Sequence, residues 1–140
     1  MPTAGAVTSN LSLSTDGSLV AAGMSDGGAT VWGARGGQLL RTVSGHRGPV
    51  DGVALSRGGA LLVTASDDGT AHIWGLPDGA VIATLTAEAG PTHAVDISPD
   101  GLLIATGPED GMLRLWRIQS TRPDAAPPTQ AQVPSPPPYP

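Results

Sequence analysis

The chain has 140 residues, no cysteine, and twelve acidic residues against seven arginines, for a net charge of −5. Without thiols it has no disulfide framework, thiolate metal site or cysteine nucleophile, and the acidic balance argues against a surface that tracks nucleic-acid phosphates. Neither a secretory hydrophobic region nor an apolar run of membrane-spanning length occurs, so the expectation is an intracellular protein, cytoplasmic or nuclear, that contacts no membrane.

In chain order, a short extension (residues 1–7) precedes a first set of four strands. Alternating NLSLS (10–14) turns at Asp16-Gly17 into Leu19 to Gly23, and Asp26-Gly27 turns into Ala29 to Trp32. The Gly-rich link Gly33 to Gly37 then leads to Gln38 to Val43. The set recurs as Val50 to Ser56, Ala60 to Ala65, Thr70 to Trp74 and Ala80 to Leu85. A third copy supplies His93 to Ser98, Leu102 to Thr106 and Met112 to Trp116. Six Asp-Gly pairs stand at the hairpin positions, and both residues tolerate the positive φ that tight hairpins need.

The copies are in strict register. Trp32, Trp74 and Trp116 lie 42 residues apart; Asp26, Asp68 and Asp110 each precede a tryptophan by six, and Gly17, Gly59 and Gly101 by fifteen. A period of about 40 to 45 residues with four short strands per copy is the signature of β-propeller blades. The central copy carries Gly45-His46, then Ser66, Asp68 and Thr70, then Trp74-Gly75, and in these it resembles the WD40 repeat family. The dipeptide's Asp is replaced by Gly33, Gly75 and Arg117 in the three copies, and the second Gly-His position reads Ala87-Glu88. The resemblance covers roughly residues 8 to 118 and implies all-β, WD40-type blades of four antiparallel strands, over 8–44, 50–86 and 93–118.

Past Trp116 the repeat stops. A last strand for the third blade should begin near residue 122, where eight prolines within 119–140 predict a proline-rich disordered tail instead. The expected count is eleven strands, with the third blade lacking its last. Propellers close with about four to eight blades, so three imply the C-terminal part of a larger propeller, or open faces covered by self-association or another chain. Within the tail, Pro136, Pro137, Pro138 and Tyr139 match the PPxY ligand of WW-domain proteins, which take pre-formed polyproline II segments.

His46, Ser66 and Asp68 contain an apparent catalytic triad. The resemblance implies a structural tetrad instead, in which His46, Asp68, a hydroxyl of the second strand and Trp74 hydrogen-bond in sequence inside the blade. Thr64 and Ser66 both qualify as the hydroxyl. Asp26 with Trp32, and Asp110 with Trp116, are the counterparts in the flanking copies. Gly23 to Gly27 matches the GxSxG of a nucleophile elbow around Ser25, but an elbow needs a following helix, and here a strand follows. His46, His72 and His93 show no metal-ligand spacing, and His72 reads as a solvated side chain. No catalytic, cofactor or metal residue is assigned. The function expected is a non-catalytic protein-interaction scaffold, the alternatives being a hydrolase using Ser25 or Ser66 or a non-functional fragment. Its partner-binding face is expected to expose Ser25, Arg47, Asp67, Glu88, Pro91, Thr92 and Glu109.

Overall fold

A computed structural model describes residues 7–14, 16–56, 59–76, 79–86, 90–108, 112–118 and 129–133. The first sheet is ordered β1-β2-β3-β4, from strands Val7–Leu13, Leu19–Met24, Gly28–Gly33 and Leu39–Ser44. The second repeats it as β5-β6-β7-β8, from Val50–Leu55, Leu61–Ser66, Thr70–Gly75 and Ala80–Thr86. The third contains β9 (Thr92–Ile97), β10 (Leu103–Pro108), β11 (Leu113–Arg117) and β12 (Thr129–Val133), adjacent in that order. All pairings are antiparallel.

The fourth strand of the third sheet corrects the expectation of eleven strands and of a tail without structure. In the second sheet Ala71 stands opposite Leu85, whereas in the third Leu113 stands opposite Val133 rather than residue 127, six residues beyond the repeat. The physical reason lies in the prolines. Pro127 and Pro128 occupy the stretch where the repeat would place the strand, and proline cannot donate to a ladder. TQAQV is the proline-free stretch beyond them, and it pairs along the otherwise bare edge of β11. The rest of 119–140, including Pro136 to Tyr139, lies outside the described residues.

Each first hairpin closes in the same way. The amides of Ser14, Ser56 and Ser98 donate to the carbonyls of Leu19, Leu61 and Leu103, and the three serine hydroxyls accept from those leucine amides at 2.9 to 3.0 Å. Ser14 and Ser98 also donate to Asp16 and Asp100. Together with Ser18, the Ser14 hydroxyl lowers the Asp16 carboxyl to about 2, and the Ser98 hydroxyl with the Leu102 amide draws Asp100 below the usual carboxylate range. Among the Asp-Gly pairs Gly17, Gly27, Gly69, Gly79 and Gly101 have positive φ, while Asp110-Gly111 lies outside the described residues.

The core lies between the sheets. Ala21, Ala29, Val31 and Val43 of the first sheet pack with Val53, Leu55, Leu62, Trp74 and Leu76 of the second. The opposite face of the second sheet, with Leu61, Val63, Ala71, Ile73 and Leu85, packs with Ile104, Trp116 and Ile118. Side chains alternate along a strand, so β6 sends Leu62 to one junction and Leu61 and Val63 to the other. The inner strand β5 runs between β1 and β9, and its Val53 and Leu55 amides donate to Asn10 and Ser12 of β1 at 3.1 and 3.3 Å. Among the described residues the stack is open: its first and last sheets each keep one face without a neighbouring sheet.

Candidate functional site

The second sheet assembles the central constellation from a link, two strands and the turn between them. His46 lies in the link entering β5, Thr64 on β6, Asp68 in the β6–β7 turn and Trp74 on β7. The indole of Trp74 donates to Thr64 Oγ1 at 3.0 Å, and Thr64 Oγ1 meets His46 Nε2 at 2.7 Å. His46 Nδ1 in turn meets Asp68 Oδ2 at 3.1 Å. One set of proton positions satisfies every member. Trp74 gives to Thr64, the Thr64 hydroxyl gives to Nε2, and Nδ1–H gives to the carboxylate, which leaves His46 neutral.

Electrostatics agree. Burial, reinforced by His72 stacked at a ring-centroid separation of 4.1 Å, holds the His46 imidazole below its ordinary value against the pull of Asp68. His72 is half-buried rather than solvated, because the His46 ring covers one side and the edge of Trp74 another; it meets Thr84 Oγ1 at 2.9 Å. Burial likewise lowers its affinity for a proton. For Asp68, burial alone acts upward. The Thr70 hydroxyl, the Arg47 and Thr70 amides and His46 outweigh it and hold the carboxyl well below the usual range.

Of the two hydroxyls left open by spacing, Thr64 occupies the centre of the chain. Ser66 is fully buried and does something else: it donates to the Gly48 carbonyl at 3.0 Å and accepts from the Asp68 amide at 3.2 Å. It thereby locks the turn to the incoming link. Ser25 is exposed in the hairpin between β2 and β3, a strand-to-strand turn without the helix of a nucleophile elbow.

The flanking copies depart from this arrangement. In the third sheet the Trp116 indole donates to Thr106 Oγ1 at 3.0 Å, while Glu88 and Asp110 lie outside the described residues. In the first sheet the position of Thr64 is held by Ala22, and the buried Trp32 Nε1 has no hydrogen-bond partner among the described residues. Asp26 is exposed and accepts from the Gly28 amide at 3.0 Å. In the sequence, the column Ala22, Thr64, Thr106 is apolar only in the first copy. Ala22→Thr should therefore raise stability by about 1 kcal/mol, the usual net worth of one hydrogen bond. Urea unfolding checks this, and a loss would mean that the methyl does not fit.

Around this cage lies a polar rim. Arg47 and Asp67 are exposed, Pro91 is half-buried, and Thr92 is buried, which removes Thr92 from the face expected to be exposed. Thr92 starts β9 and is paired with β10 opposite Pro108, so the sheet covers it. Glu88 and Glu109 lie outside the described residues. The rim also gathers a group that spacing did not reveal. His93 Nδ1 stands 3.3 Å from Asp51 and 3.6 Å from Asp67, and the three ligand atoms lie within 4.8 Å of one another. Asp51 and His93 occupy the same repeat position on neighbouring blades, 42 residues apart, so only the packing of β5 against β9 brings them together. The donor set of such a group suits a divalent cation.

Repeated four-stranded sheets stacked face to face, with a Trp–Thr–His–Asp chain inside, define a β-propeller repeat protein. A family model described as "WD domain, G-beta repeat" matches residues 37–75 and 79–117, and the chain belongs to the WD40 family. A comparison with curated proteins finds no match. Among solved structures, the WD40 repeats of RRP9 are similar at 27% identity and a TM-score of 0.72, over 88% of this chain and 35% of that one. U3-55K is similar at 26% identity and 0.77, over 94% and 38%. The Cps50 (Swd1) β-propeller domain of Myceliophteria thermophila shares the fold, with a TM-score of 0.81 at 20% identity, over 98% and 41%. The chain thus spans well under half the length of these structures.

Proposed function

We propose that the chain is a non-catalytic protein-interaction scaffold whose three sheets are part of a larger propeller ring, completed by blades outside this chain. The observation that carries the scaffold assignment is the closed hydrogen-bond chain from Trp74 through Thr64 and His46 to Asp68. Every polar group of the apparent triad is committed inside the blade, and a general base needs a free lone pair within reach of a proton to abstract. The same links present Arg47, Asp67 and Ser25 to solvent at one end of the sheets. Asp68 accepts from the Arg47 backbone amide at 2.9 Å, so the cage fixes the loop that carries the exposed guanidinium. Ordering the contact loops beforehand lowers the entropic cost of binding.

Arg47→Glu and Asp67→Lys test the assignment. Both side chains are exposed, so each variant should keep the parent melting temperature within about 2 °C while losing the proteins that the parent captures from a cell extract. Variants that capture the same set would place the binding surface elsewhere. A hydrolytic activity of the purified chain that vanishes with Ser25→Ala or Ser66→Ala, without unfolding, would overturn the non-catalytic assignment.

A further inference from the structure

The two open faces of the stack are complementary, and their residues are those that form the internal junctions. In each junction the leading sheet contributes one set of repeat positions and the following sheet another. The first junction joins Leu19, Ala21, Ala29 and Val31 to Val53, Leu55, Leu62 and Trp74. Shifted by 42 residues, the same two sets form the second junction, where Leu61, Val63, Ala71 and Ile73 meet Val95, Ile97, Ile104 and Trp116. A further shift of the leading set gives Leu103, Ala105, Leu113 and Leu115, on the open face of the last sheet. Shifting the following set back gives Leu11, Leu13, Val20 and Trp32, on the open face of the first.

Exposure follows this assignment for the leucines, while Trp32 on the first face is only 5% exposed and packs with Ala22, Met24 and Val20. Leu11 and Leu13 are 62% and 61% exposed, while their counterparts Val53 and Leu55 are 4% and 6%. Leu103 and Leu113 are 39% and 41% exposed, against 3% and 1% for Leu61 and Ala71. A shallow cleft of about 280 Å³ opens over Leu103, Ala105 and Leu115, where the internal junctions receive the next blade. Val133 takes the register position opposite Leu113 that Leu85 and Val43 take opposite Ala71 and Ala29, so an apolar residue stands there in all three sheets.

We propose that a second copy of this chain occupies both open faces, head to tail, so that two chains close a ring of six four-stranded sheets. The inference rests on the proposal that these sheets belong to a larger ring, and it names what supplies the remainder. Six blades lie within the range over which propellers close, about four to eight. Each face is matched by the other rather than by itself, since both internal junctions join unlike sets. A head-to-tail contact closes when the rotation fits and otherwise grows into an open array. With three blades on each chain, two copies give closure.

The test uses the full chain in sedimentation velocity with two variants, Leu13→Glu on one open face and Leu103→Arg on the other. Both side chains are exposed, and far-UV circular dichroism checks that each variant keeps the parent spectrum. The parent should sediment at twice the mass of one chain. Each variant alone should be monomeric, because both of its junctions carry the change. Mixed in equal amounts they should form a one-to-one dimer, which has one unaltered junction and one that joins Glu to Arg. A compact parent monomer, or a ladder of larger species, would overturn the two-chain ring. So would a dimer broken by one variant and untouched by the other, the mark of like faces pairing. A chain that becomes soluble and cooperative only when separate WD40 blades are supplied would also overturn it, while leaving intact the proposal of a larger ring. Loss of the Arg47 contacts bears on neither outcome, so failure of the scaffold assignment is read separately.

Discussion

Leu62→Ala should destabilise the chain by about 3 to 5 kcal/mol, the upper part of the range for truncating a buried leucine. Leu62 is fully buried at the junction of the first and second sheets, in one cluster with Val53, Leu55, Trp74 and Leu76. It stands opposite Trp74 in the β6–β7 ladder. The cost of such a cavity depends on how far its walls can close. Here they cannot move far, since the backbone ladders of two sheets hold both sides. Whole domains are stable by about 5 to 15 kcal/mol, so the variant should be close to unfolding at ambient temperature. Urea unfolding at matched protein concentration measures the loss, because association of the native state contributes to apparent stability. Leu39→Ala, at an exposed position of the outer strand β4, is the control at about 1 kcal/mol or less. Equal losses for the two would mean that the first junction is not packed as described.

Thr64→Val should cost about 2 to 4 kcal/mol although it preserves shape. It strands two buried groups, the Trp74 indole N–H and His46 Nε2, each of which loses about 1 to 3 kcal/mol when left unpaired. Ser66→Ala, which removes bonds to the Gly48 carbonyl and the Asp68 amide, should cost about 1 kcal/mol less than Thr64→Val. Adding Trp74→Phe to Thr64→Val removes the stranded donor, so the double variant should lose less than the sum of the single losses, the sign of a shared network. Additive losses would show that Thr64 does not link the tryptophan to the histidine. The first sheet carries a natural counterpart of this defect in Ala22 and in Trp32, whose Nε1 has no partner among the described residues.

The sequence by itself determined the repeat and therefore the sheets. Trp32, Trp74 and Trp116 set the period, the Asp-Gly pairs set the hairpins, and runs such as Leu61 to Val63 marked strands buried on both faces. These are local properties: turn chemistry and alternation act within a few residues. The pairing of His46 with Asp68 was legible too, as what the resemblance to the WD40 family implies. Choosing Thr64 over Ser66 required tertiary structure. The two lie two residues apart and point to the same face of β6, so spacing cannot separate them; only the depth of His46 and Trp74 in the sheet does. Strand β12 was hidden for a related reason. TQAQV has no strong strand pattern of its own, and it is selected by the unpaired edge of β11 across a proline-bearing link. The burial of Thr92, the stacking of His72 on His46 and the meeting of Asp51, Asp67 and His93 likewise arise where blades or distant segments touch, and a 42-residue period carries no signal for contacts made across it.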